Sequence, residues 1–532
     1  MKKVSRFTQE TVSRGRAYWI VMALLLIVAG WGFSPPARAQ AVNGGIVGTV
    51  TDSSGAVVPQ ARVTITNTAT NVGQGGATDS NGYYSFPDLP PGNYKVAVAK
   101  QGFSTIVRSG VRLFVNSTVR VDVSLKPGEM TQTVNVKSTI PLLQTDTAQT
   151  GGQLTSVQAT QLPLGTNRNF QNLLNLIPGS SGTAYNHSHF FNPQNSLNSE
   201  VNGTSSLSNN FQIEGVNDNE RTGLLQVYIP PIEAIQEVNV TTSNYDAEQG
   251  TALGAVVNVI MKSGTNQFHG AAYEIYNGQA LNARNYFDRG PGGAPFVKPH
   301  NVYNYWGGQF GGPIRKNKTF FFVDFLRTDL NQGQFQRLSV PTAAERVGDF
   351  SDPTLDTIYN PFTGDTADCL PGGNSKLCGK GRTRFAGNNV AGLIDPISAK
   401  LVALVPLPND KLTASGSARY HDNLVETTRY TQDNKSFDVK IDQYQGQNDH
   451  ISGRLGYMSP ITVQEPAYGL AGGPVGGGFE ATGTDSTYSG DIIWDHIFSP
   501  TLIVQNRIGL NRYRNTANQT DYGTDASTQI GI

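Results

Sequence analysis

The chain has 532 residues, enough for three or more domains by the usual size relation. Its 40 basic and 40 acidic side chains balance, and charged residues make up only 15% of the chain. A neutral chain lacks the basic face that nucleic acid binding requires, so we expect no nucleic acid partner. Abundant glycine, 59 residues in all, without long helical periodicity indicates a mainly β protein with many turns.

The first forty residues have the pattern of an export signal. A basic start precedes an apolar run over residues 18–29, and Ala37-Arg38-Ala39 has the A-x-A form of a cleavage site. We therefore predict a signal peptide over residues 1–39, cleaved between Ala39 and Gln40. A membrane anchor is the alternative, but the run is short for a span of about 20 residues. No second apolar helix follows in the sequence, so insertion into a membrane would have to use β-strands.

The two cysteines of the chain, Cys369 and Cys378, lie close together in a segment rich in proline and glycine. In an oxidising compartment they could close a small loop as a disulfide. A metal site is the alternative interpretation, but no histidine lies near them in the sequence. We expect a structural bridge.

From Gly44 to Leu125, short apolar runs alternate with turn signals, which predicts a β-sandwich. The D-x-x-G-x-Y-x-F turn at Asp79–Phe86 and the L-P-P-G-x-Y pattern at Leu89–Tyr94 resemble the carboxypeptidase regulatory-like domain. That family is an accessory sandwich grouped with carbohydrate-binding-like folds. We assign residues 43–126 to it, and the resemblance implies that carbohydrate could be a ligand.

The name of that family does not predict an enzyme. A metallocarboxypeptidase needs a zinc site, and the chain has no H-E-x-x-H motif. His187 and His189 form an H-x-H pattern without a nearby carboxylate partner, so we interpret them as polar loop residues. The sequence also lacks a G-x-S-x-G elbow and a Walker loop. We expect no catalytic residue, no bound metal and no cofactor.

Residues 141–265 carry several motifs in a definite order. Arg168–Gly179 predicts a short helix with an apolar face, ended by a Pro-Gly pair. Asn209–Asn217 and Gly254–Gly264 follow. Together these segments resemble the plug of TonB-dependent outer-membrane receptors of the Oar-like branch, which implies an α+β plug domain. Glu214 stands where that family usually has Asp.

Residues 127–140 precede the predicted plug as a linker. Within them, Met130–Lys137 is a short β-prone run, and an extended unpaired segment can add as a strand to the edge of a partner's sheet. In TonB-dependent receptors such a segment, the TonB box, binds the inner-membrane partner TonB. The resemblance places the candidate box at Thr133, Val134, Asn135 and Val136. The alternative is that these residues form the first strand of the plug.

Seven strand-like segments follow residue 265, and we assign 266–532 to a partial transmembrane antiparallel β-barrel. One of them alternates clearly, with Phe437, Val439 and Ile441 on one face and Asp438, Lys440 and Asp442 on the other. A soluble sandwich also alternates, but here short turns and long links alternate strictly, which is typical of outer-membrane barrels. The segments span residues 267–277, 301–313, 318–328, 434–443, 449–458, 485–496 and 501–514.

Two aromatic clusters, Tyr303–Trp306 and Phe320–Phe322, could form interfacial girdles or core. Receptors of this kind use about 22 strands, because a lumen of that size can hold a plug. Seven strands and no terminal aromatic residue therefore predict an incomplete barrel, from a truncated gene, a partial assembly or a pseudogene.

These patterns lead to two hypotheses of function. The first is a TonB-dependent receptor of the outer membrane that takes up a large, scarce solute and has TonB as its partner. The second is a secreted or surface carbohydrate-binding or adhesion protein without transport. The identity of the solute does not follow from the sequence.

Overall fold

The computed structural model describes residues 43–129, 133–137, 149–165, 168–185, 187–245, 249, 252–287, 297–364, 380–410, 420–473, 480–519, 521–525, 528 and 531. The predicted signal peptide, its cleavage site at Ala39 and Gln40, and the pair Cys369 and Cys378 lie outside these residues. Within them, no helix is long and apolar enough to cross a membrane. The mainly β architecture expected from the sequence is confirmed.

The first part of the chain forms two sheets packed around one core, which we call the sandwich. One sheet has the order β4-β1-β7, with β8 also on β1, and the other has the order β3-β2-β5-β6-β9. The nine strands are β1 (Gly44–Asp52), β2 (Arg62–Asn67), β3 (Gly73–Ala77), β4 (Tyr83–Leu89), β5 (Gly92–Ala99), β6 (Thr105–Leu113), β7 (Thr118–Arg120), β8 (Val123–Leu125) and β9 (Thr133–Lys137).

Alternation along each strand builds the sandwich core. In β5, Tyr94, Val96 and Val98 point inward and are almost fully buried, since successive side chains of a strand point to opposite faces. Tyr84 of β4 is also buried, and its hydroxyl donates a hydrogen bond to the carbonyl of Val121 at 2.5 Å. The two sheets therefore close on each other without leaving this phenol unpaired.

Strand β9 contains the candidate TonB box, and its position differs from both expectations. It is neither unpaired nor part of the next domain, because it pairs in parallel with β6 from Thr105↔Thr133 to Ser109↔Lys137. The described first strand of the next sheet is β10 (Thr150–Thr155). The segment predicted as a linker thus supplies the edge strand of the sandwich.

A second sheet unit follows, which we call the plug segment (149–264). Its sheet has the order β10-β13-β14-β11-β12, in which β11 and β14 are parallel and the other pairs are antiparallel. Its elements after β10 are helix α1 (Ser156–Gln161), a 3-10 helix (Phe170–Leu176), two further short 3-10 helices (Ser206–Ser208 and Ile232–Ala234), β11 (Asn210–Ile213), β12 (Val216–Asn217), β13 (Ile235–Ser243) and β14 (Val256–Met261).

The helix predicted over Arg168–Gly179 is a 3-10 helix, shorter than expected. Asn169 caps it by accepting a hydrogen bond from the amide of Gln171, and Pro178 follows its last residues. Leu173, Leu174 and Ile177 are buried, as the apolar face predicted. A 3-10 turn is tighter than an α-turn and occurs in short pieces such as this one.

The last part of the chain forms one antiparallel sheet, which we call the wall sheet. The order is β15-β16-β17-β18-β19-β21-β22, and β20 lies between β18 and β21 in line with β19. All seven predicted strands are present. Together with β20, which the sequence did not predict, the described strands are β15 (His269–Gly278), β16 (Asn301–Arg315), β17 (Thr319–Leu338), β18 (Leu424–Gln445), β19 (Asp449–Met458), β20 (Ile461–Gln464), β21 (Ala481–Ser499) and β22 (Leu502–Asn518).

Strands β19 and β20 occupy one position in the wall sheet and are separated by Ser459-Pro460. Proline has no amide hydrogen for the ladder, so it interrupts the strand there. The described residues of the long link between β17 and β18 form two short helices, α2 (Ala343–Arg346) and α3 (Pro396–Leu404), and two 3-10 turns (Ala386–Asn388 and Ala391–Leu393). The links after β15 and β20 each carry a 3-10 turn as well (Gln279–Leu281 and Gly469–Ala471).

The wall sheet exposes its apolar face and buries its polar face, which is the reverse of a sheet in a soluble protein. On β18 the apolar Phe437 and Ile441 are 43% and 45% exposed, whereas Asp438, Lys440 and Asp442 of the opposite face are buried. The same holds for β19, where Leu455 is exposed and Arg454 is buried. This burial is the pattern of a membrane barrel strand, which is apolar outside and polar inside.

The two aromatic clusters are divided between these faces. Tyr303, Tyr305 and Phe320 point inward and are buried, but Trp306 points outward and packs on Phe325, with ring centroids 5.7 Å apart. Each cluster was expected to be either girdle or core. Alternation along a strand sends neighbouring rings to opposite faces, so the first cluster contributes to both.

We expect arginine in place of Leu455 to destabilise the membrane-inserted protein by about 2–4 kcal/mol, because the charge would face lipid near the middle of the apolar face. The control is Thr427→Arg near the start of β18, which lies outside the apolar stretch of that strand. The expected cost there is about 0–1 kcal/mol. Urea unfolding in phospholipid vesicles measures both values. Equal costs would contradict an outward lipid-facing surface.

Candidate functional site at the plug and the inner wall

A two-residue turn of the plug segment reaches the inner face of the wall sheet. Glu214 and Gly215 join β11 to β12, and both have positive φ, 51° and 71°, as a tight hairpin turn of this kind requires. The Glu214 carboxylate accepts hydrogen bonds from the amide of Met261 at 2.8 Å and from Nζ of Lys440 at 2.7 Å. Glu214 therefore both braces the turn and holds a buried cation of β18.

A second contact joins the plug segment to three neighbouring strands. The hydroxyl of Tyr228 donates a hydrogen bond to Asp438 of β18. Arg454 of β19 donates to the same carboxylate at 2.9 Å and lies 3.8 Å from Asp491 of β21. All four side chains are buried. Charges in such surroundings need partners, and here the wall strands and the plug segment supply them to each other.

A third contact lies on β16. Arg168 of the plug segment pairs with Glu233 at 2.8 Å, and the hydroxyl of Tyr305 donates to the same carboxylate at 2.5 Å. The guanidinium also lies over the Tyr305 ring, 5.4 Å from its centroid. The plug segment is therefore attached to β16 and β18 by charged or phenolic groups that face the interior.

Further polar bonds continue along the wall to β22. Arg507 donates to the carbonyl of Gly215 at 3.0 Å, and Asn511 donates to the carbonyl of Asn217 at 2.7 Å. Ser263, at the end of the plug segment, donates to Asp442 at 2.5 Å. These bonds fix the β11–β12 hairpin against the wall sheet.

We expect Lys440→Ala to lower the free energy of unfolding by about 3–5 kcal/mol, because it leaves the buried carboxylate of Glu214 without its cation. The double variant Lys440→Ala/Glu214→Ala should recover part of that loss. Denaturant unfolding of the four proteins in the cycle gives the coupling free energy. A double variant as unstable as the sum of the single variants would exclude direct coupling.

The sandwich is clamped to the plug segment at one residue. The amide of Val115 donates to Glu237 at 2.9 Å, and its carbonyl accepts from the side chain of Asn239 at 3.2 Å. The Val115 side chain is fully buried and packs on Ile260. Two side chains of β13 thus satisfy both backbone groups of Val115, as a neighbouring strand would.

Burial raises the pKa of Glu237 to about 7 from its ordinary value of 4.5, although the hydrogen bond from Val115 and the nearby Arg112 act in the opposite direction. Because the docked state binds the proton more tightly than the undocked state, docking should weaken as pH rises from about 4.5 through 7. Glu237→Gln keeps an acceptor for the Val115 amide and should remove this pH dependence. The pH dependence of docking is measured by the protection of the Val115 amide from hydrogen exchange at a series of pH values. If protection in the Glu237→Gln variant changes with pH as it does in the unmodified protein, Glu237 is not the group that causes the dependence.

The sandwich lies at the end of the wall sheet that carries the short turns. The amide of Gly75 donates to Gln447 in the β18–β19 turn at 3.2 Å. Asn266 joins Thr70 of the sandwich to Asn317 in the β16–β17 turn. A cavity of about 220 Å³ remains between the sandwich, the plug segment and the wall, and Arg112, Lys440 and His450 are among its lining residues.

The candidate TonB box is therefore on the same side as the short turns. Of its four residues, the side chain of Val134 is described and is 42% exposed.

His187 and His189 lie in the plug segment, and His189 packs between Tyr185 and Tyr430, with ring centroids 4.8 Å and 4.3 Å away. Burial lowers the pKa of His189. Among the described residues, no group of three or more His, Cys, Asp or Glu is arranged to hold a metal ion.

Local sequence patterns indicated the polar face of the wall strands but not the plug residues that contact it. The alternation at residues 437–442 was the available signal, and it placed Asp438 and Lys440 together. Nothing local indicated that Tyr228 or Glu214 would contact them, because these pairs are 210 and 226 residues apart in the chain. The substitution at Glu214 was the one hint, since its longer side chain reaches the lysine.

The wall sheet has its apolar face outward, and the plug segment covers its polar face. This is the architecture of a plugged outer-membrane barrel. Residues 260–532 match the family model "Outer membrane beta barrel domain", so the chain belongs to that family and is a protein of the outer membrane. The model "Carboxypeptidase regulatory-like domain" matches residues 45–126.

The chain is similar to the TonB-dependent transporter Oar of Myxococcus xanthus, with 27% identity over 370 residues. The match covers 68% of this chain and 33% of the relative, so the chain spans about a third of the relative it matches. Among solved structures, it is similar to the ferric enterobactin receptor of Pseudomonas aeruginosa, with 12% identity, TM-score 0.37, and 70% and 42% of the two chains covered. For the siderophore receptor of Acinetobacter baumannii, the identity is 16%, the TM-score 0.31 and the coverage 69% and 48%.

Proposed function

We propose that the protein acts in TonB-dependent uptake of a large, scarce solute across the outer membrane. The observation that carries the proposal is the inner face of the wall sheet, where buried charges are bonded to groups of the plug segment as well as to one another. A static pore would not need a plug that is held by such specific contacts. The relative in Myxococcus xanthus is named as a TonB-dependent transporter, which supports the same function here.

Under this proposal the domains have distinct tasks. The signal peptide of residues 1–39 directs export, the sandwich of residues 43–126 faces the periplasm, and the plug of residues 141–265 closes the barrel of residues 266–532. The contacts of the sandwich with the short turns support its periplasmic position, because barrels of this class have short turns on that side. The long links would then face outside and meet the solute.

The candidate TonB box at Thr133–Val136 would receive the energy for uptake. Its support is its place on the side of the short turns and its strand conformation, which suits pairing with an added strand. The solute is not identified by any group in the described residues. The alternative of a carbohydrate-binding surface protein stays a prediction, and no contact or cavity in the sandwich favours it.

We expect Val134→Pro to abolish crosslinking of the intact receptor to TonB, because proline removes a backbone donor and disrupts strand pairing. Val134→Thr is the matched control, since threonine keeps the amide hydrogen and the preference for strands. Both variants are compared by site-specific crosslinking in cells and by growth on the solute once it is known. Undiminished crosslinking of the proline variant would rule out this position for the box.

A further inference from the structure

Strand β9 is an addition to the sandwich rather than part of its common fold. The family model of the sandwich ends at residue 126, whereas β9 begins at Thr133 and continues the five-stranded sheet beyond β6. Five residue pairs hold it there, and they run in parallel. After β8, the chain stays bonded to the segment before β6, where the amide of Ser104 donates to the carbonyl of Lys126 and the amide of Gly128 donates to the carbonyl of Gly102.

The two edges of this five-stranded sheet differ. At one edge, the amide of Gly75 in β3 contacts the wall turn through Gln447. At the other edge, within the part of the chain that the structure describes, no strand pairs with the outer side of β9. Such an edge presents a row of unpaired backbone donors and acceptors and is a template for another strand.

We propose that an extended strand of TonB adds to the outer edge of β9 while β9 stays paired with β6. The partner and the sandwich then share one continuous sheet, and the box is not peeled off before it is bound. This inference rests on the proposed function, since it takes TonB as the partner. The main chain supplies the recognition, which fits a strand whose sequence, Thr-Val-Asn-Val-Lys, carries little that is distinctive.

This arrangement gives the pull of the partner a defined route to the plug segment. Strand β6 ends at Leu113, and Val115 follows two residues later in the clamp formed by Glu237 and Asn239. Both clamping residues lie on β13, which pairs with β10 on one side and with β14 on the other. A force applied to β9 would therefore pass through β6 and Val115 into the plug sheet.

Hydrogen exchange on the full-length protein, with and without the purified periplasmic domain of TonB, tests the proposal. We expect the amides of β9 to gain protection on binding and those of Thr105–Ser109 in β6 to keep theirs. If the partner removes β9 from the sandwich, exchange in Thr105–Ser109 should become faster. Such a loss of protection would overturn the shared sheet.

A disulfide lock provides the second measurement. Register partners across a ladder lie about 4.8 Å apart, which is within the range of about 4.4–6.8 Å that a disulfide spans. Ser109→Cys with Lys137→Cys would fasten β9 to β6, in a background with Cys369→Ser and Cys378→Ser. Arg62→Cys with Ala77→Cys, which are partners in β2 and β3, is the control lock in the same sheet.

We expect the oxidised and reduced forms of the β6–β9 lock to bind the TonB domain with the same Kd. A rise in Kd of about tenfold or more on oxidation, absent in the control lock, would show that β9 must detach and would overturn the inference. Failure of the disulfide to form would contradict the pairing itself. Failure of the unmodified protein to bind TonB would instead refute the proposed function, on which the inference depends.

Discussion

The buried charges on the inner face of the wall sheet are the constraint on which the rest of this structure depends. Lys440, Asp438 and Arg454 cannot remain buried without partners, since an unpaired buried charge is very costly. Glu214 and Tyr228 of the plug segment provide part of that pairing. The wall sheet and the plug segment are therefore stable as a pair, and the outer face of the wall is free to be apolar.

The sandwich is also held to the other two parts of the chain by polar contacts. It is joined to the plug segment by bonds to the backbone of Val115 and to the wall by bonds to two short turns. Apart from the packing of Val115 on Ile260, these contacts are polar, in contrast to the wide apolar cores inside the sandwich and the plug segment. A small polar interface suits a domain that has to transmit force or to rearrange, because little apolar surface is exposed when it moves.

The sequence predicted the strands better than their surroundings. Strand-like patterns and short turns located the seven predicted wall strands, but β17 and β18 extend beyond the segments 318–328 and 434–443, and β20 was not predicted. The position of β9 was not predictable. Its five residues have strand propensity, but propensity does not name the strand with which they pair, and β6 lies almost thirty residues earlier in the chain.

The sequence by itself determined the class of the protein, because local alternation and turn spacing carry the signature of a sandwich and a barrel wall, and the motifs between them resemble a plug. Only the tertiary structure decided which charges meet, because Glu214 and Lys440, or Val115 and Glu237, are separated by more than a hundred residues. Such contacts depend on how finished sheets pack against one another. No local pattern records that packing, so it emerges only when the whole chain has folded.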